Sequence, residues 1–385
     1  MRLVTLSMTL TVVCTMPLML VGALSVQMRA ELGYSIVALG GGVAVHRIGG
    51  AVVSIPLGRL SDRLGPATAM RLAALLAALS ALGVAVIARD FSTLAIFLAL
   101  SGASNALGQT AANLALARAV PLNRQGLAFG VKQAALPVGS LLAGLTVPVL
   151  ALTVGWRWGY VLVAVIALGV LVAVPRGKSA SYRVPAGTVN RPSGRRPLIV
   201  MAVALFFGMA AASSLTTFIV EASTSAGVSP ANAGLLLTFG SFLSIVVRLT
   251  AGQLADRRQG GHILGVARMQ LAGMAGFLLI ATGRPWALVL GSAIAFAFGW
   301  GFNGLFWFAI VRLNPATPAK ATGMIMPGGM LGGVAGPLVF GLVAEAAGYT
   351  NAWLTAATWS LLAGGLMLVG RRLLINGLRL AEQPA

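Results

Sequence analysis

Gly58-Arg59-Leu60-Ser61-Asp62-Arg63 returns 194 positions later as Gly252-Gln253-Leu254-Ala255-Asp256-Arg257, each copy at the junction of two long apolar runs. The same offset aligns Gly33-Tyr34-Ser35 with Gly227-Val228-Ser229, Gln109 with Asn303, and Arg118 with Arg312. Matches that share one offset mark an internal duplication, so the two halves of the chain are expected to fold alike.

The runs around this signature decide the class. A helix crossing a hydrocarbon core about 30 Å thick needs roughly 20 mainly apolar residues. Twelve stretches meet that need: 3–26, 36–57, 67–88, 92–117, 128–152, 157–175, 198–221, 231–251, 262–282, 285–311, 320–344 and 350–370. Over all 385 residues, 58% of side chains are hydrophobic and 9% charged, with a mean hydropathy of +0.92. Seven acidic residues are too few for the hydrated surface of a soluble domain, and the hydrophobicity excludes intrinsic disorder. The expected fold is an all-α membrane protein, twelve transmembrane helices in two pseudo-symmetric six-helix bundles. The bundles are residues 1–175 and 198–385, joined by a cytoplasmic linker, 176–197, rich in Arg, Ser, Gly and Pro. The first run exceeds a signal-peptide core and has no compelling cleavage pattern, so it reads as a retained helix.

A net charge of +20 in a soluble protein would point first to nucleic acid. Here the basic residues form short clusters between apolar runs, with no aromatic platform on which bases would stack, so nucleic acid is not an expected partner. With the N-terminus inside, 21 of the 27 Lys and Arg fall in cytoplasmic segments, Arg29, Arg89, Arg157 and Arg284 fall opposite, and Arg47 and Arg248 lie within spans. That bias places both termini in the cytoplasm of a multi-pass protein of the cytoplasmic (inner) membrane. The single cysteine, Cys14, lies inside the first run as a small hydrophobe.

The loop signature Gly58-x-Leu60-x-Asp62-Arg63-x-Gly65, its second copy and the six-plus-six division resemble the major facilitator superfamily over the whole chain. In the second copy Gln259 replaces the last Gly, and Gly260 follows one position late. The segment Gly126-Leu127-Ala128-Phe129-Gly130-Val131-Lys132-Gln133-Ala134, followed by Pro137, is similar at subfamily level to the fifth-helix entry of cyanate-permease-like bacterial transporters. The resemblance implies secondary transport of a small solute by alternating access. It implies gating by Gly58, Asp62, Arg63, Gly65 and Arg118, and by Gly252, Asp256, Arg257 and Arg312, with Asp62 and Asp256 pairing to arginines of neighbouring helices such as Arg118 and Arg312. Gly332-Gly333-Val334-Ala335-Gly336-Pro337 resembles the antiporter motif of drug exporters but falls in the eleventh span rather than the fifth, and its glycines are expected to serve packing.

Solute contacts are expected among polar groups deep in the spans. Arg47 lies eleven positions before Gly58, ~16 Å from the cytoplasmic end at 1.5 Å per residue, too deep to snorkel easily. Arg248 lies four residues before Gly252, with Ser241 and Ser244 on its face, and Lys132 near the cytoplasmic end of the fifth span. Asn105, Gln109 and Asn113 stand at i, i+4, i+8 in the fourth span, and Asn303 and Trp307 continue the related stripe of the tenth. Interhelical hydrogen bonding is the bland use of such amides. His46, about 100° from Arg47 on the helix, is expected to pack or to donate a hydrogen bond rather than to relay protons. Trp300, Phe302, Phe306 and Trp307 give the tenth span an aromatic face, while Trp156, Trp158, Tyr160 and Trp353 are placed as interfacial belt residues.

No Asp or Glu lies deep in any span, so an electropositive lining favours a small organic or inorganic anion, which guanidinium binds in bidentate fashion. Efflux of amphipathic compounds by drug/proton antiport is the alternative. Without a deep acid, Glu221 and His46 are the groups left to titrate if a proton is the coupling ion. Gly177-Lys178-Ser179 lacks the earlier Gly of a phosphate loop, and His46 and His262 stand in no catalytic context, so neither an ATPase nor another enzyme is expected. No cofactor or metal set is expected, clustered Met324, Met326 and Met330 lacking Cys or His companions. The partners expected are a small-molecule solute and the lipid bilayer, and the state is monomeric.

Overall fold

The structure is a computed structural model that describes residues 2–119, 134–175, 195–256, 260–313 and 318–382, without the side chains at 2–4, 55, 58, 60–63, 117–119, 256, 318–320 and 375–382. Among the described residues every regular element is helical. The first seven helices are α1 (Arg2–Ala23), α2 (Ser25–Leu32), α3 (Ile36–Leu64), α4 (Pro66–Val86), α5 (Phe91–Ala119), α6 (Ala135–Thr146) and α7 (Arg157–Ala173). The remainder are α8 (Arg195–Ser225), α9 (Pro230–Asp256), α10 (His262–Ala281), α11 (Pro285–Ile294), α12 (Phe302–Leu313) and α13 (Pro318–Glu382). Two π-helical turns, Val147–Ala151 and Ala295–Trp300, follow α6 and α11.

Hydrocarbon forces these runs to satisfy their backbones internally, which the helix does. Hydroxyls inside them bond back to the preceding turn, as Thr11 does to the Ser7 carbonyl and Thr15 to that of Thr11, both at 2.8 Å. Gly65, at φ +80°, makes the sharp turn out of α3, and Pro66 opens α4 where a missing N–H costs nothing. Nine helical stretches among the described residues are long and apolar enough to cross a membrane. The ninth, Ala321–Leu374, contains a break at Gly348 (φ +82°), and the fifth and sixth expected spans are met by the shorter apolar helices Ala135–Ala151 and Arg157–Ala173. Residues 120–133, which include the start of the expected fifth span, lie outside the described residues.

The chain packs as two compact units, Met1–Val184 with Thr216–Thr238, and Pro185–Leu215 with Phe239–Ala385. In the first, α3 crosses α5 at glycines. A Cβ on Gly102 would stand 1.9 Å from the His46 carbonyl oxygen, and one on Gly50 2.7 Å from that of Gly102. Residues 216–238 join this unit through equally close approaches: Gly22 lies on the Thr216 and Thr217 carbonyls, and Gly144 on Gly234 and Thr238. An ion pair between Arg29 and Glu221 adds to them.

In the second unit Leu198, Met201, Phe302, Phe306, Ile310 and Ile325 belong to one buried apolar cluster. Gly328, Gly332 and Gly336 of α13 lie against the carbonyls of Ala202, Phe206 and Ala210, four residues apart on both helices, which is the packing expected of that stripe. The offset of 194 also relates packing: positions 46 and 102 form the α3–α5 crossing, and in the second unit Gly240 of α9 lies against the ring of Phe296.

Trp156, Tyr160 and Trp353 are buried rather than interfacial, a correction to the belt reading, and of those four aromatics Trp158 alone is exposed. The polar ends of two of them find partners inside the protein: Trp156 Nε1 donates to Glu31 Oε2 at 2.6 Å, and the Tyr160 hydroxyl to the Pro17 carbonyl at 3.3 Å. Arg157 completes a clamp at this end of the first unit. Its Nη2 donates to Glu31 Oε1 at 2.6 Å and to the Ala88 carbonyl at 3.0 Å, and Nη1 reaches the Ala85 carbonyl at 3.2 Å. The loss of hydration on burial opposes ionisation of Glu31, but the hydrogen bonds from Arg157 and Trp156 outweigh it and hold the carboxyl below its ordinary value of 4.5. A depressed carboxyl contributes stability above its ordinary value, and that contribution fades as pH falls through the lowered one. Arg157→Ala is expected to cost about 2 kcal/mol, measured by unfolding in detergent, and to flatten the acid limb of the stability profile.

Candidate functional site

In the first unit, α3 carries Arg47 half-buried, one residue beyond fully buried His46. The amide stripe on α5 runs outward: Asn105 and Gln109 are half-buried and Asn113 is exposed. Asn105 Oδ1 is buried and accepts no hydrogen bond from the described residues. Ser101, one turn earlier, likewise buries its hydroxyl without a partner. Groups of this kind in a helix bundle are costly unless water or a ligand completes them.

In the second unit, Arg248 on α9 extends across Gly304 to the end of the π turn. Its Nη2 donates to the Trp300 carbonyl at 2.9 Å, and its guanidinium carbon lies 5.1 Å from the centroid of the Trp300 ring. Among the described residues Arg248 Nε, buried, has no acceptor, and one turn earlier on α9 the buried Ser244 hydroxyl has no partner. Asn303 donates from Nδ2 to Met209 Sδ at 3.7 Å, and its Oδ1 is buried without a donor. Trp307 is half-buried against the apolar cluster that contains Phe302 and Phe306, so those two phenylalanines of the aromatic face serve packing.

The expected gate is partly visible. Gly65 forms the turn described above, and nothing lies within 4 Å of a Cβ on Gly252. Arg312 is exposed, its guanidinium 5.2 Å from the Phe308 ring centroid. Gly58 is part of α3, while the side chains of Asp62, Arg63, Arg118 and Asp256 and the whole of Lys132 and Arg257 lie outside the described residues. The association of Arg248 with Trp300 was not legible in sequence, where both residues were marked for other reasons. The flanking Gly299 and Gly301, which leave the π turn room beside Phe277 and Val247, are the one sequence signal that could have pointed there.

No group of three or more His, Cys, Asp and Glu able to hold a metal occurs among the described residues. The chemistry on display among the described residues is that of guanidinium, amide and hydroxyl groups in an apolar setting, suited to binding a polar solute.

A "Probable nitrate/nitrite transporter NarK2" of Mycobacterium tuberculosis (strain CDC 1551 / Oshkosh) is 28% identical over 345 residues, 84% of each chain. A Bacillus subtilis (strain 168) protein assigned to metabolite transport is 30% identical over 147 residues, 38% of this chain and 32% of that protein. The fold matches that of a bacterial homologue of the human lysosomal transporter Spinster with a TM-score of 0.75 at 13% identity, over 97% of both chains. The family model of the Major Facilitator Superfamily matches residues 6–337, and the chain belongs to that superfamily of membrane transporters.

Proposed function

We propose that this protein is a secondary transporter of a small anion, with Arg47 and Arg248 supplying the positive charge that the solute meets. The observation that carries this reading is that two guanidiniums, Arg47 and Arg248, lie within the described spans, in a chain whose seven acids all lie near helix ends. The similarity to a probable nitrate/nitrite transporter supports an inorganic oxyanion as the first solute class to test. Asn105, Gln109, Asn113, Lys132, Asn303 and Trp307 are the further solute contacts proposed. An anion bound to a guanidinium adds charge-assisted hydrogen bonds that only the folded protein makes, so binding is expected to stabilise the fold.

In the proposed cycle the two six-helix bundles, 1–175 and 198–385, are the moving bodies, 176–197 is their linker, and both termini are cytoplasmic in the inner membrane. Asp62 with Arg118, and Asp256 with Arg312, lock the cytoplasmic side, assisted by Gly58, Arg63, Gly65, Gly252 and Arg257. Asp62→Asn is then expected to raise the labelling rate of cysteines placed on the cytoplasmic face severalfold, and an unchanged rate contradicts the lock.

Ligand-dependent thermal stability in detergent tests the solute class, because a ligand bound by the folded state alone raises the melting temperature. Nitrate, nitrite or a small carboxylate is expected to stabilise the wild-type protein and not Arg47→Gln. Stabilisation by lipophilic cations alone, equal in both proteins, overturns the anion reading and favours efflux of amphipathic compounds.

A further inference from the structure

Among the described residues, Trp300 supplies the polar and aromatic contacts of the Arg248 guanidinium. Trp300, the last residue of the π turn Ala295–Trp300, accepts from Nη2 through its carbonyl and covers the guanidinium with its ring. The turn is real in its bonding, since the Gly301 N–H donates to the Phe296 carbonyl five residues back, at 3.1 Å. A π turn displaces backbone groups from the α-helical register, and such turns recur at functional sites.

The ring of Trp300 has its own support. Phe296 meets it edge-on, centroids 5.8 Å apart, and Phe296 is fully buried against Gly240, on α9 two turns before Arg248. Thus α9 braces the aromatic pair at Gly240 and presents Arg248 to the same pair further along. The stem of Arg248 passes Gly304, where a Cβ would sit 3.8 Å from its Cγ. Carbonyl, ring and stem contacts together orient the guanidinium, and among the described residues its Nε–H meets no acceptor.

We propose that Trp300 is a positioning residue for Arg248, fixing the guanidinium so that its unfilled edge is offered to a planar oxyanion. This rests on the anion-transport reading and names the selectivity of that site. Planar oxyanions take two parallel N–H bonds from a fixed guanidinium edge, whereas chloride, a sphere of equal charge, gains little from the fixed orientation. Trp300 therefore sets discrimination between nitrate and chloride more than it sets the turnover rate.

Nitrate uptake into proteoliposomes, with chloride as competitor, separates these roles. Trp300→Leu keeps the carbonyl but removes the ring, a loss of about tenfold in binding for a cation–π contact in a desolvated setting. The expected result is a KM for nitrate raised about tenfold with kcat retained, and stronger competition by chloride. Trp300→Phe keeps an aromatic face and is expected to stay within about threefold of wild type. A fall in kcat with KM and nitrate-over-chloride preference unchanged overturns the proposal. A second readout does not depend on Trp300→Leu folding: nitrate is expected to change the tryptophan emission of wild type, and this change is lost in Trp300→Phe and in Arg248→Gln. An emission change of equal size in Trp300→Phe overturns the proposal as well. Absence of any nitrate uptake or binding by the wild-type protein contradicts the transport reading itself, an outcome distinct from normal uptake with unaltered KM and selectivity in the Trp300 variants.

Discussion

Arg47→Gln is expected to weaken anion binding by about 30-fold or more while leaving a folded, monodisperse protein. The estimate follows from removing the charge-assisted hydrogen bonds of one guanidinium, about 2 kcal/mol, at 1.4 kcal/mol per tenfold in affinity. The fold survives because Gln retains the part of the stem nearest the helix and because Arg47 is half-buried rather than built into the α3–α5 contact. That contact is made by the neighbouring turn at His46, Gly49 and Gly50. Arg47→Lys separates charge from shape: it preserves the positive charge but loses the bidentate fork, so intermediate affinity with poorer preference for oxyanions is expected. Binding is read by the anion-dependent shift in melting temperature, and equal shifts in wild type and Arg47→Gln remove Arg47 from the site.

Gly102→Leu is expected to yield no folded protein, and Gly102→Ala already costs about 3 kcal/mol or more. The atoms in the way are backbone: the His46 carbonyl oxygen at 1.9 Å from a Cβ and the Gly50 nitrogen at 2.8 Å, neither of which is the movable tip of a side chain. In hydrocarbon, where apolar surface gains little from helix association, such close backbone packing is a main source of stability. Gly169 on α7 is the control, since nothing lies within 4 Å of a Cβ there. Gly169→Ala leaves the unfolding midpoint unchanged or raised, because Ala is the better helix former. Equal behaviour of the two alanine variants in size-exclusion chromatography and thermal unfolding contradicts the packing argument.

These two predictions show what a sequence discloses and what it withholds. Arg47 was legible because a charge inside a 20-residue apolar run conflicts with its surroundings. The repeat was legible because Asp62-Arg63 and Asp256-Arg257 stand out against apolar sequence, and the same offset then reappears in packing at 46 with 102 and at 240 with 296. Gly102 was not singled out among 49 glycines, since whether a glycine meets a neighbouring backbone depends on where the second helix crosses. The π turns were equally hidden: Ala295–Trp300 and Val147–Ala151 differ from α-helix by one residue per turn, a change that hydrophobic periodicity does not resolve. The reading of Trp156 and Tyr160 as belt residues failed because composition shows that an aromatic has a polar end but not that Glu31 or the Pro17 carbonyl is within reach. The grouping of 216–238 with the first unit rests on Gly22, Gly144 and the Arg29–Glu221 pair, contacts between segments nearly 100 or 200 positions apart.

Arg157, Arg47 and Arg248 also show how one residue type takes different roles by depth and partner. Arg157 is saturated by Glu31 and three backbone carbonyls at the end of α4 and therefore stabilises. Arg248 keeps an Nε–H without an acceptor in a span, where an incomplete hydrogen-bonding set is expensive, and this is the feature expected of a binding group.

The central claim, anion transport through guanidinium contacts, is tested most directly by counterflow in proteoliposomes. Purified protein is reconstituted with unlabelled nitrate inside, and entry of labelled nitrate is followed with wild type, Arg47→Gln and protein-free vesicles. Saturable entry in wild type that falls to the protein-free rate in Arg47→Gln is the predicted result. Entry indistinguishable from protein-free vesicles for nitrate, nitrite and small carboxylates alike, in vesicles that do exchange a lipophilic cation, contradicts the account.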